Sequence, residues 1–150
     1  MNITFEQARH LMEIARRRAA TLKKPITVVV VDTGGFVVSI DRMDGARPLQ
    51  PSIATAKAYT AAVMQRPSAM LKGWCDSQPQ FFAQVSTMGH HPIVATGGGM
   101  TLRKNGVLMG GLGIAGGTGE EDQQIAEETL REAGYELDFE QFAVLKGKQG

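Results

Sequence analysis

Lys57 is the only charged residue between Arg47 and Arg66, and it sits among Ala54, Ala56, Ala58, Ala61 and Ala62. A lysine in such a run either carries its ammonium to solvent along an apolar stem or points into a pocket that takes one cation. A lysine in a pocket can act as a base or Schiff-base former, or it can pair with a ligand carboxylate. Spacing alone leaves both placements open. Asp44 and Asp122 are the carboxylates that would handle protons for such a lysine, so Lys57, Asp44 and Asp122 form the candidate catalytic set.

Each of the other polar candidates also has a plain structural reading. Asp32, Arg42 and Asp44 flank a turn, and turn aspartates usually hydrogen-bond their own backbone. Asp122 falls in an acidic first helical turn, where complementing the helix dipole is reason enough. His10 lies beside the apolar stripe of the first helical segment, and His90 and His91 precede Pro92. Adjacent histidines rarely point the same way, and no His-Glu-x-x-His pattern exists, so no metal site is expected. A single histidine still suits an axial haem position, which makes His10, His90 and His91 the candidate cofactor ligands. Gly111-x-Gly113-x-x-Gly116 matches the dinucleotide fingerprint as a string. A hairpin precedes it, however, and Glu120, Glu121 and Asp122 would repel a pyrophosphate from the helix that follows. These glycines instead let the hairpin pack closely against a helix or a partner chain, and a small-molecule pocket is compatible with that.

The elements that must position these groups can be read in order. Residues 4–22 predict an amphipathic helix, opened by a Thr4/Gln7 capping box and carrying Ala8, Leu11, Met12, Ala15, Ala19 and Leu22 on one face. Its arginines, Arg9 and Arg16 to Arg18, form a solvated face. Lys24-Pro25 stops it, and Ile26–Val31 then reads as a buried central strand. The turn Asp32-Thr33-Gly34-Gly35 leads to a second strand, Phe36–Asp41. A helix over 51–66 starts at Pro51 and ends before Pro67. Short helices carry Met70, Leu71 and Trp74, then Phe81 and Phe82. Met100–Arg103 and Val107–Ile114 flank Asn105-Gly106, a strong hairpin signal. Thr118 and Glu121 form a second capping box for a last helix, with Gly134 as its stop. The tail from Glu140 is polar and is expected to fray. The order of helices and hairpins indicates an α+β fold with a mainly antiparallel sheet.

Composition sets the outer bounds. A chain of 150 residues reads as one domain over 1–150, with 16 Lys+Arg against 15 Asp+Glu. That balance argues against nucleic-acid or polybasic membrane binding. No apolar run approaches a spanning helix, and the start lacks the features of a signal peptide. The single Cys75 excludes an intrachain disulfide, and a reduced, cytoplasmic setting is expected. Glycine stands out: ten of the 18 fall between Gly97 and Gly119, where the backbone needs freedom or close approach.

Several spaced motifs now fall into one order: Asp32-x-x-Gly35, Arg42-x-Asp44-Gly45-Ala46, Lys57-Ala58-x-Thr60-Ala61, Gly97-Gly98, and Gly116-Gly117-x-x-x-x-Asp122. Over nearly its whole length the chain resembles the GlcG/HbpS-like family, often called haem-degrading domains, which includes the C-terminal domains of PduO-type proteins. The resemblance implies a profilin-like fold, with about five antiparallel strands, helices on both faces, and self-association into dimers or larger homo-oligomers. It also implies haem binding in some members, and genes beside glycolate or diol catabolism for others. It points to Asp32, Arg42, Gly97, Gly98, Gly116 and Gly117 as ligand-binding positions that, with Lys57, Asp44 and Asp122, cluster around one pocket at a subunit interface. Gly99-Met100 stands where the family often has proline after the glycine pair, which would reshape the pocket mouth.

Three readings follow. The first is a haem-binding oligomer, with Met64, Met70, Trp74, Phe81 and Phe82 as apolar walls and Arg42, Arg47 or Lys57 facing the propionates. The second is an enzyme or accessory protein acting on a small carboxylate or carbonyl compound, centred on Lys57. The third is a structural role in which the glycines serve packing between copies.

Overall fold

The computed structural model describes residues 1–137, so the expectation for the tail from Glu140 lies outside the described residues. Helix α1 (Phe5–Thr21) opens with the expected capping box, in which the Thr4 hydroxyl accepts from the Gln7 amide. Strand β1 (Thr27–Val31) is buried along its whole length. It pairs antiparallel with β2 (Val37–Arg42) on one side. Helix α2 (Gln50–Met64) carries Pro51 in its first turn and ends where Gln65 adopts a left-handed conformation ahead of Pro67. A 3-10 turn (Ser68–Leu71) leads to the short helices α3 (Lys72–Ser77) and α4 (Pro79–Val85). The hairpin of β3 (Gly99–Lys104) and β4 (Val107–Ala115) turns at Asn105-Gly106. Helix α5 (Gly119–Ala133) starts at the Thr118/Glu121 capping box and stops at Gly134.

The sheet is antiparallel with order β2-β1-β4-β3. Alternation along the strands divides the core. Val28, Val30, Leu112 and Ile114 face α1 and α5, while Val29 and Val31 face Ala54, Ala58 and Ala62 of α2. This is the expected α+β arrangement with helices on both faces, but the described residues hold four strands rather than about five. The first residues reach the sheet, yet only the Ile3 amide bonds to it, at 2.9 Å from the Met109 carbonyl oxygen. The chain enters the α1 cap at Thr4, too soon to extend a ladder. No helix among the described residues is long and apolar enough to cross a membrane.

Candidate ligand-binding site

The glycines of β4 determine where Lys57 goes. A Cβ on Gly113 would lie 2.1 Å from the Ala54 carbonyl oxygen, and one on Gly111 would lie 2.3 Å from that of Ala58. Helix α2 therefore rests backbone to backbone on the sheet, which is why its contacting residues are alanines. At that depth Lys57 spans the end of β4. Its ammonium donates to the Ile114 carbonyl oxygen and to Asp122 Oδ2, both at 2.9 Å. Asp122 Oδ1 accepts from the Gly117 amide at 2.8 Å. Lys57 is 3% exposed and Asp122 2%, so this is a buried ion pair joining helices from opposite faces of the sheet. Gly98, at φ +119°, closes a third side: a Cβ there would sit 2.5 Å from the Ile114 oxygen and 3.0 Å from Lys57 Nζ. The Gly98 amide donates to Gln123 Oε1 at 2.9 Å. An ammonium held by two acceptors is a fixed hydrogen-bond donor, and it has no free lone pair with which to attack a carbonyl.

A groove of about 320 Å³ opens over this pair. Arg47, Gln50, Ile53, Gly116 and Gly117 line it together with Lys57 and Asp122. Gln50 is buried, and its side-chain oxygen has no hydrogen-bond partner. Nothing in the spacing of the sequence marked Gln50.

The structure separates Asp44 and Arg42 from Lys57. Both line another cleft, of about 550 Å³, with Arg9, Arg16 and Asp41. Arg42 donates to the Ala46 carbonyl oxygen at 2.8 Å, and Arg9 pairs with Asp41 at 2.7 Å. Asp32 Oδ1 accepts from the amides of Gly34 (2.9 Å) and Phe36 (3.1 Å), the local turn role. Gly97 lies against the backbone of Gly119. Within a single chain the positions expected around that interface pocket fall into separate groups: Gly116, Gly117, Lys57 and Asp122 meet in the groove, Gly97 and Gly98 pack around it, and Asp32, Arg42 and Asp44 lie away from it.

The histidines also divide. His10 is exposed on α1, across the sheet from α2. His90 and His91 lie on α2's side and, contrary to expectation, come together with ring centroids 4.9 Å apart. Tyr59 draws them in, meeting His90 edge-on at 4.6 Å and His91 at 5.4 Å. Its ring fits there because Gly35 and Gly89 leave it room. His90 also stacks on Phe36, with centroids 4.5 Å apart and planes 9° from parallel, and Phe36 is 61% exposed. His90 Nε2 lies 3.2 Å from the Gly35 carbonyl oxygen. Burial, with a smaller contribution from His90, lowers the His91 pKa from 6.5, so its imidazole is neutral at pH 7. Three of the five nominated apolar walls, Met64, Trp74 and Phe82, belong to one small core, while Phe81 is 50% exposed. Phe82 and Leu71 are buried with Tyr59, and Met64 and Trp74 pack against them.

An antiparallel α+β domain with a groove over a buried ion pair, and a second cluster of imidazole and aromatic rings, defines a small ligand-binding domain. It is not a dinucleotide-binding βαβ unit. Residues 3–131 match the family described as haem degrading protein HbpS-like, and the chain belongs to that family. It is 32% identical over 130 residues to the corrinoid adenosyltransferase PduO of Citrobacter freundii, covering 87% of this chain and 38% of that one. The chain thus spans well under half the length of that relative. Among solved structures, a PduOC–haem complex superposes with a TM-score of 0.79 at 30% identity, covering 87% of this chain and 94% of that one. The Klebsiella pneumoniae protein ORFY gives a TM-score of 0.81 at 26% identity, covering 88% and 90%.

The donor chemistry allows a test of haem at the histidine cluster. A haem iron takes a neutral imidazole nitrogen, and the macrocycle takes a flat apolar surface. His91 supplies a neutral ring, and no hydrogen bond to its nitrogens is found among the described residues. Phe36 supplies an exposed ring already stacked on an imidazole. These residues would fit a nitrogen donor to the iron and an apolar surface for the macrocycle. The propionate cations nominated from sequence are not gathered there. Lys57 is committed to Asp122, and Arg42 and Arg47 line the two other clefts.

Proposed function

We propose that this protein is a haem-binding, self-associating member of its family, in which His91 would hold the iron. The observation that carries this is His91 itself: a half-buried, neutral imidazole without a competing hydrogen bond, fixed edge-on against Tyr59. The relative solved as a haem complex supports it. His90 has a different task. Stacked on Phe36 and held near the Gly35 oxygen, it extends the flat surface and keeps His91 oriented. Bound haem would supply a redox-active iron centre. Tyr59 excludes water from one side of the donor. Self-association fits β2, an edge of the described sheet whose Val37 and Ile40 stand exposed beside α2. A cytoplasmic setting suits the single free cysteine.

Titration of the purified protein with haemin, followed by its visible spectrum, tests this. The expected result is saturable binding with a sharp Soret band that shifts or broadens in His91→Ala, moves less in His90→Ala and is unchanged in His10→Ala. Weak, non-saturating binding with a broad band, or a Soret band indifferent to His91, refutes it.

A further inference from the structure

The groove beside Lys57 holds three polar groups that the haem reading does not use. Gln50 is 7% exposed and lines the groove, and its side-chain oxygen lacks a donor. Such an orphan is costly in a folded protein unless something outside the chain supplies the missing hydrogen. Lys57 spends two of its three ammonium hydrogens on Ile114 and Asp122, which leaves one for the groove it lines. Arg47 stands exposed at the rim, with no ion-pair partner among the described residues. Lys57 and Asp122 cancel, so Arg47 leaves the groove with one uncompensated positive charge. The neighbouring carboxylate of Glu121 is already engaged by Lys24. Leu49, Ile53 and Ala115 supply apolar wall. The volume, about 320 Å³, is at the small end of ligand sites.

We propose that this groove is a second binding site, independent of haem, for a small monocarboxylate that has an apolar body and a hydroxyl group. The carboxylate accepts from Arg47 and from the free ammonium hydrogen of Lys57. The hydroxyl donates to Gln50 Oε1, which the side chain must turn toward the groove from its buried position, and the apolar body lies against Leu49 and Ile53. Because Lys57 is already held by Asp122, it works here as a pre-set donor and needs no rearrangement to bind.

The test is titration of the full chain with mandelate, which combines a carboxylate, a hydroxyl and a phenyl ring, followed by backbone amide NMR. Phenylacetate lacks the hydroxyl, and methyl mandelate lacks the charge. Saturable shifts are expected at Gly116, Gly117 and Gly119, with both analogues binding about tenfold or more weakly. Arg47→Gln, an exposed change, should erase the preference for mandelate over methyl mandelate. Gln50→Met should erase the preference over phenylacetate. If Gln50→Met fails to fold, the two analogues on the unaltered chain still decide the matter. The proposal is overturned if mandelate gives no saturable shift at these glycines up to about 10 mM. It is equally overturned if the preferences survive the substitutions, or if the shifts centre on His90 and His91.

Discussion

Replacing Asp122 with asparagine keeps the shape of the side chain and removes its charge. The carboxylate serves two donors on separate oxygens, Lys57 Nζ at 2.9 Å and the Gly117 amide at 2.8 Å. Asparagine has one oxygen, so whichever way it turns, one donor faces an NH2 group. If that donor is Lys57, an ammonium only 3% exposed is left with the Ile114 carbonyl alone. Breaking a buried pair from one side costs about 3–5 kcal/mol. Lys57→Met strands Asp122 instead, at a similar cost of about 3–5 kcal/mol. In the double variant no charge remains buried, and the asparagine oxygen can serve Gly117. Its cost should be no greater than that of either single variant, which gives a coupling of about 3 kcal/mol. Urea unfolding of all four proteins measures this. Single losses below about 1 kcal/mol, or losses that simply add, would refute the view of the pair as a buried clip between two helices.

Three further outcomes are expected. Gly113→Ala forces a methyl into the Ala54 carbonyl oxygen and should cost about 3 kcal/mol or more, whereas Gly73→Ala, in open space on α3, should be neutral or slightly stabilising in thermal unfolding. Glu121 and Glu132 are held at about 2 instead of 4.5, by hydrogen bonds first from Lys24 and first from Arg17 respectively. Their stabilisation is complete above pH 4.5 and is lost as pH falls toward 2, so the urea midpoint should drop across that window. Lys24→Met, or added salt, should flatten the drop. His91 should titrate below 6.5 by NMR, favouring the fold above that value and less as pH falls through its own midpoint; a midpoint at or above 6.5 would contradict its burial.

Local features carried much of the fold. The capping boxes at Thr4/Gln7 and Thr118/Glu121 and the Asn105-Gly106 turn each act within a few residues, so their spacing alone placed α1, α5 and the β3–β4 hairpin. Lys57 could be singled out because an isolated charge in an alanine run is visible without a structure. Its partner could not be assigned in that way. Asp122 is far along the chain, and its place at a helix start already had a sufficient explanation. Gln50 left no signal, because an unsatisfied amide is defined by what surrounds it. Asp32 and Asp44 are similar turn aspartates in sequence, yet neither reaches the Lys57 groove. The meeting of His90 and His91 depends on Tyr59, a neighbour in space on another element.

The seating of α2 on β4 also bears on how the molecule opens. Contact between main chains leaves little side-chain cushion for either element to slide over, so α2 cannot lift without uncovering Val29, Val31 and the glycine face of β4 together. Helix, central strands and the Lys57 clip should therefore exchange their amides as one unit, at the level of global unfolding. The short helices α3 and α4, which rest on a smaller core, should exchange earlier, as a separate layer. The histidine cluster joins the two, because Tyr59 sits on α2 yet belongs to the smaller core, and it holds the imidazoles of the loop that follows α4.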